Sequence, residues 1–151
     1  MISVQEAPFD PGAEERRLAE ACPGAGAIVS FTGLVRAQSH GAAVTELELD
    51  HHPRFTEQTV REIAAEAQAR FSLLGVTIIH RYGRLRPGEP IVLAAAAAEH
   101  RRAAFEAVDY LMDRLKTEAP FWKREHGPNG SRWIETRPQD WTDRARWERE
   151  S

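Results

Sequence analysis

The chain has 151 residues, 42% of them apolar and 28% charged, with a formal net charge of -3. That size predicts one domain, residues 1–151 with a charged tail over 138–151, and a core that needs no disulfide staple. The acidic balance excludes a protein that coats nucleic acid, so any anion site must be a local cluster of cations.

In chain order, Asp10-Pro11 is a helix start, with Asp10 as the cap, and the helix runs through Ala21 until Pro23-Gly24 stops it. Ala25 to Thr32 reads as a buried strand that Gly33 interrupts. Arg36 to Ala43 is small and polar and reads as a mobile loop. From Val44 to Asp50 the pattern alternates, Thr45, Leu47 and Leu49 against Glu46, Glu48 and Asp50, which predicts a half-buried strand. Thr56 is placed to cap the next helix, whose apolar face is Val60, Ile63, Ala64, Ala67 and Phe71. Val76 to Tyr82 and Pro90 to Ala98 read as strands around a Pro87-Gly88 turn. Ala94 to Ala98 alone suits a helix, but the Pro-Ile-Val-Leu entry favours strand.

His100 to Lys116 is the strongest helical pattern, with Phe105, Val108, Leu111, Met112 and Leu115 on its buried face. It must end near Ala119, because a residue before proline avoids the helical region. Ser131 to Thr136 is a short strand, and the tail is either a docked helix or partly frayed. The mixture implies an α+β sandwich of sheet and helices.

One cysteine, Cys22, can make neither an intramolecular disulfide nor a zinc site by itself. With no base evident beside it, it reads as packing, and the composition fits a reducing, cytoplasmic compartment. Met1 to Asp10 does not read as a signal peptide, and the apolar run Ile91 to Ala98 is too short to span a bilayer.

Lys116 and Lys123 flank the Pro120 break, beside Phe121 and Trp122, whose bulk is placed to exclude water. Desolvation lowers a lysine's pKa and frees its amine for chemistry, although a lysine in the last helical turn also serves simply to complement the helix dipole. Two further cationic groups invite an anion: Arg36 at a strand exit, and His100-Arg101-Arg102 at a helix N-terminus. Cations are unfavourable at that end of a helix, so these side chains either meet an anion or splay into solvent. His51-His52 point to opposite sides of a strand and do not make a metal site. His80, in an apolar strand, reads as a hydrogen-bonded core histidine, and the four tryptophans as packing or interface residues. No Walker loop, dinucleotide-binding glycine fingerprint or nucleophile elbow is present. What remains is a cationic pocket with no cofactor of its own.

These segments together resemble the catalytic (large) subunit family of molybdopterin synthase. The resemblance is carried by Phe31-Thr32-Gly33-Leu34-Val35-Arg36, Leu49-Asp50-His51-His52-Pro53, Val76 to Gly83, Ala98 to Ala107 and, most specifically, Leu115 to Glu125. It implies an α+β fold of the α/β hammerhead type with an additional α+β subdomain. It implies a sulfurtransferase that converts cyclic pyranopterin monophosphate (precursor Z) to molybdopterin by inserting two sulfurs as a dithiolene, within molybdenum cofactor biosynthesis. The sulfur donor is the C-terminal Gly-Gly thiocarboxylate of a small ubiquitin-like subunit, and the assembly is a homodimer within a heterotetramer.

By the same resemblance, Lys116 and Lys123 are the catalytic candidates. Lys116 assists attack and proton transfer, and Lys123 either stabilises developing negative charge or acts as an acid–base group. Arg36 with Leu34 and Val35, His100 with Arg101, and Arg124 with Glu125 are the substrate-binding candidates, some of them supplied by the opposite protomer. The family commonly has tyrosine where this chain has His52. Two other readings compete: a non-catalytic module that captures a ubiquitin-like tail or a phosphorylated ligand, and a nucleotide- or RNA-binding domain that the acidic charge disfavours.

Overall fold

The structure, a computed structural model, describes residues 1–148; residues 149–151 of the predicted tail lie outside the described residues. It is α+β. The first sheet has the order β1-β6-β8-β2, built from β1 (Ile2–Gln5), β2 (Ala27–Leu34), β6 (Gly75–Arg81) and β8 (Pro90–Ala98). β1 pairs with β6 in parallel, and the other pairs are antiparallel. The alanine run of β8 explains how helices cover both faces. Ala94, Ala96 and Ala98 meet the α2/α3 side, while Ala95 and Ala97 meet Leu18 of α1. Side chains this small let helices approach both faces of one strand.

α1 (Pro11–Ala21) is capped as expected: the Asp10 carboxylate accepts the Gly12 N–H at 3.0 Å. α2 (Phe55–Arg70) and α3 (Arg101–Glu118) bury the apolar stripes read from the sequence, with exceptions. Phe105 is 61% exposed and faces outward, because the buried stripe of α3 runs through Ala104, Ala107, Val108, Leu111 and Leu115. Phe71 closes α2 as its C-cap and is half-buried. Thr56 does not cap α2 from outside. It lies fully buried within the first turn, where its hydroxyl accepts the His52 N–H and donates to the Pro120 carbonyl, both at 3.0 Å. His52 takes part of the capping role, since its Nδ1 accepts the Phe55 N–H at 3.3 Å.

β2 is an edge strand, not the buried strand expected, and leaves Phe31 and Leu34 exposed. Its register shifts between Gly33 and Leu34. A Cβ on Gly33 would stand 2.8 Å from Val92 Cγ1, so the close approach to β8 requires glycine.

The second sheet has the order β10-β9-β5-β7, from β5 (Glu46–His51), β7 (Gly83–Leu85), β9 (Phe121–Gly127) and β10 (Gly130–Ile134). Its inner face is a second core of Val35, Leu47, Leu49 and Leu85. The loop 36–43 holds a short hairpin of β3 (Gln38–Ser39) and β4 (Ala42–Ala43). The tail forms α4 (Pro138–Ala145) and a 3-10 turn, Arg146–Glu148, so the docked alternative is observed for its described part. Trp147 anchors it: the ring is buried against Phe71 and Tyr110, and its indole N–H donates to Asp113 at 2.6 Å.

Candidate active site

α3 ends at Glu118, and Ala119 is already extended (φ -72°, ψ 123°), as Pro120 requires. The chain then turns directly into β9, a strand that the sequence reading did not foresee. Thr56 ties down the turn through the Pro120 carbonyl. Lys116 therefore stands on the last turn of α3, and Lys123 stands on β9 opposite Leu49 and Ile134.

Strand alternation sorts the residues after the proline. Phe121, Lys123 and Glu125 share the face of Leu47 and Leu49, which is the core side, while Trp122, Arg124 and His126 point the other way. Phe121 is half-buried and stacks on His80, with ring centroids 3.7 Å apart and planes at 16°. Trp122 is 51% exposed and excludes no water from the lysines. Arg124 lies over the Trp133 ring, 4.2 Å from its centroid, on the outer face away from Lys123.

Lys123 is half-buried, and its pKa is pushed down to about 8. Burial is the first cause. The charges of Lys116 and Arg36 lower it further, and the Asp140 carboxylate opposes them. Lys116 and Arg36 thus both bring positive charge to bear on Lys123, and among the described residues none of the three has an ion-pair partner. Such an arrangement is costly when empty and suits an anionic ligand. Asp140 was not anticipated. It is buried at the start of α4, with Arg137 at 3.1 Å, and only the docking of the tail brings it near Lys123.

The remaining candidates divide. Arg36 is exposed and aimed by its neighbour: Val35 is buried in the second core, donating its N–H to Glu89 and accepting from Gly88 at 3.0 and 2.9 Å. Val35 thus anchors the strand exit, and Leu34 beside it is exposed. Glu125 is held by the Ser39 hydroxyl at 2.9 Å, which ties the 36–43 loop to β9. His100 and Arg101 are exposed at the other end of α3, about 22 Å from Lys116 at a helical rise of 1.5 Å per residue. Within one chain they do not reach the lysines.

One sequence signal went unused. Lys116 and Lys123 are the only two lysines in the chain, and every other basic residue besides histidine is arginine. Arginine stays charged in proteins, whereas a buried lysine can lose its proton.

The family model described as MoaE protein matches residues 4–118. The chain belongs to the MoaE family. A molybdopterin synthase catalytic subunit from Caulobacter vibrioides is 48% identical over 151 residues, covering 100% of this chain and 99% of that protein. The solved molybdopterin biosynthesis MoaE protein from Burkholderia ambifaria superposes with a TM-score of 0.82 at 43% identity, covering 98% of this chain and 97% of that one. The fold is also shared with a protein–protein complex of subunits 1 and 2 of molybdopterin-converting factor from Helicobacter pylori, with a TM-score of 0.72 at 21% identity over 90% of this chain and 91% of that one. The α+β class expected from the sequence is thus that of the MoaE family's solved members. Among the described residues no helix is long and apolar enough to cross a membrane.

Proposed function

We propose that this chain is the catalytic subunit of a cytoplasmic molybdopterin synthase. In this reading it converts cyclic pyranopterin monophosphate to molybdopterin with sulfur from the thiocarboxylated tail of a small ubiquitin-like subunit. The observation that carries the reading is the pairing of the chain's only lysines across the Pro120 break, with Lys123 brought to about 8 and Arg36 beside it.

Each part has a task. The thiocarboxylate and the cyclic phosphate are both anions, and three unpaired cations attract them. Lys116, exposed at the mouth, meets the thiocarboxylate and steers its sulfur to the acceptor carbon. Lys123 is mostly protonated at neutral pH, yet its pKa lies near the working range. It donates a proton to the oxygen on which negative charge develops. Arg36 presents a planar fork to the phosphate. Each sulfur transfer forms a carbon–sulfur bond as a carbon–oxygen bond of the acceptor carbon breaks, its oxygen leaving as water or as the phosphate ester oxygen, and water then cleaves the acyl–sulfur bond, returning the small subunit with a carboxylate. His100 and Arg101 contribute to the pocket of a second copy in a homodimer, which explains exposed cations at a helix N-terminus with no acidic residue in the first turn.

The test is reconstitution of the purified chain with a thiocarboxylated small subunit and cyclic pyranopterin monophosphate, with dithiolene product quantified. Product that disappears in Lys116→Ala and Lys123→Ala, with small-subunit binding retained, supports the reading. Tight binding of the small subunit without any product supports a docking module instead.

A further inference from the structure

Among the buried groups that this reading leaves unused, His80 stands against the lysine site. Its position follows from alternation along β6: Val76 and Ile78 face the core under α2 and α3, and His80 is next in that row. The residue is 8% exposed. Its Nδ1 lies 2.9 Å from the Arg81 carbonyl oxygen. A carbonyl only accepts, so Nδ1 carries the proton and Nε2 is the bare nitrogen.

The ring stacks on Phe121, the first residue of β9 and two residues before Lys123 on the same face. The cross-strand partner of Phe121 is His51, which stacks on Tyr82 at 4.0 Å. Two stacked pairs therefore lie side by side where β9 leaves the Pro120 turn. The charged and titratable groups facing His80 are Lys123 from β9, Lys116 from α3 and His51 from β5, all of which oppose its protonation. Burial is the larger cause, and the ring's pKa is held at about 3. His80 is thus a neutral ring that lies within electrostatic reach of both lysines without adding a third charge.

We infer that His80 is a positioning residue for the lysine pair: through its stack on Phe121 it sets where β9 starts relative to α3, and so the spacing of Lys123 from Lys116, and it keeps water from the inner side of the Lys123 ammonium. Neither role requires contact with substrate. The inference rests on the assignment of Lys116 and Lys123 above.

The test compares the wild type, His80→Ala, His80→Phe, Phe121→Leu and Lys123→Ala in the assembled synthase. It reads kcat, KM and the midpoint of the alkaline limb of kcat, where Lys123 loses its proton. In folded His80→Ala and in Phe121→Leu, kcat falls about tenfold with KM little changed. The midpoint rises from about 8 toward the ordinary lysine value, because hydration and a wider gap from Lys116 relax the two largest of the causes that depress it. His80→Phe, which keeps the stacked ring, recovers most of kcat and the original midpoint. A purely structural histidine would lower the yield of folded protein and leave the midpoint where it is. Wild-type kcat and midpoint in folded His80→Ala overturn the inference. Should that variant not fold, the same result in Phe121→Leu overturns it. Turnover by Lys123→Ala instead defeats the lysine assignment beneath it.

Discussion

Removing the Lys116 charge should raise the proton affinity of Lys123, and the size of the change can be worked from the site. The pKa of Lys123 sits at about 8 against an ordinary lysine value of 10.5, with burial as the leading cause and Lys116 the next. If the two ammonium groups share a pocket at a separation on the order of 8 Å, an effective dielectric of about 20 makes them repel by roughly 2 kcal/mol, equivalent to about 1.5 pH units. Burial is the larger cause of the depression, so the change is smaller than this, and Lys116→Met should move the midpoint up to about 9. At pH 8.5 about a quarter of Lys123 is protonated in the wild type and about three quarters in the variant. The assay needs no turnover. With only two lysines in the chain, protein labelled with 13C at lysine Cε gives two side-chain resonances, and the variant gives one. A single resonance in Lys116→Met that still titrates at about 8, or lower, refutes the claim that the two ammonium groups share a pocket.

Other outcomes follow from the same geometry. Lys123→Met should abolish product formation yet raise the melting temperature at pH 7. The folded pKa lies below the unfolded one, so the cost of burying the charge, at most about 3 kcal/mol, is fully present below pH 8 and disappears as pH rises toward 10.5. A variant that melts no higher than wild type at pH 7 would contradict the burial. His80 also has a folded pKa below its unfolded value, so its contribution to stability is lost as pH falls from about 6.5 toward 3. His80→Phe should therefore lose less stability than wild type across that window in denaturant titrations. Thr56→Val strands the His52 N–H and the Pro120 carbonyl, and should cost about 1–3 kcal/mol in chemical denaturation; no loss would mean that the turn after α3 does not depend on this hydroxyl. Trp147→Ala should release the tail and, with it, the Asp140 carboxylate near Lys123. The Lys123 resonance should then move to lower pKa, and an unmoved resonance would show that Asp140 does not depend on tail docking.

The sequence by itself determined the local architecture. Asp10 before Pro11 capped a helix because its carboxylate meets a free N–H, and Pro120 ended α3 at a sharp boundary because the residue before proline cannot stay helical. The apolar spacing of α2 and α3, and the strand entry at Pro90-Ile91, were legible because side-chain period follows directly from backbone geometry. The motif around the Pro120 break carried the family, and with it the two lysines.

Only the tertiary structure decided which side of each strand met what. β9 reads Phe-Trp-Lys-Arg-Glu-His-Gly, with no apolar alternation to mark it, and it becomes a strand because β5 and β10 pair with both its edges. That pairing sends Lys123 inward and Arg124 outward, a distinction that neighbouring basic residues in a sequence cannot express. β2 looked buried because its residues are apolar, yet it closes the edge of its sheet. His80 and Asp140 join the site through contacts spanning 41 and 17 residues to Phe121 and Lys123, and long-range packing of this kind leaves no periodic trace in the chain. The lowered pKa of Lys123 is likewise tertiary, since burial and the charges of Lys116, Arg36 and Asp140 exist only once helix, strand exit and tail have come together.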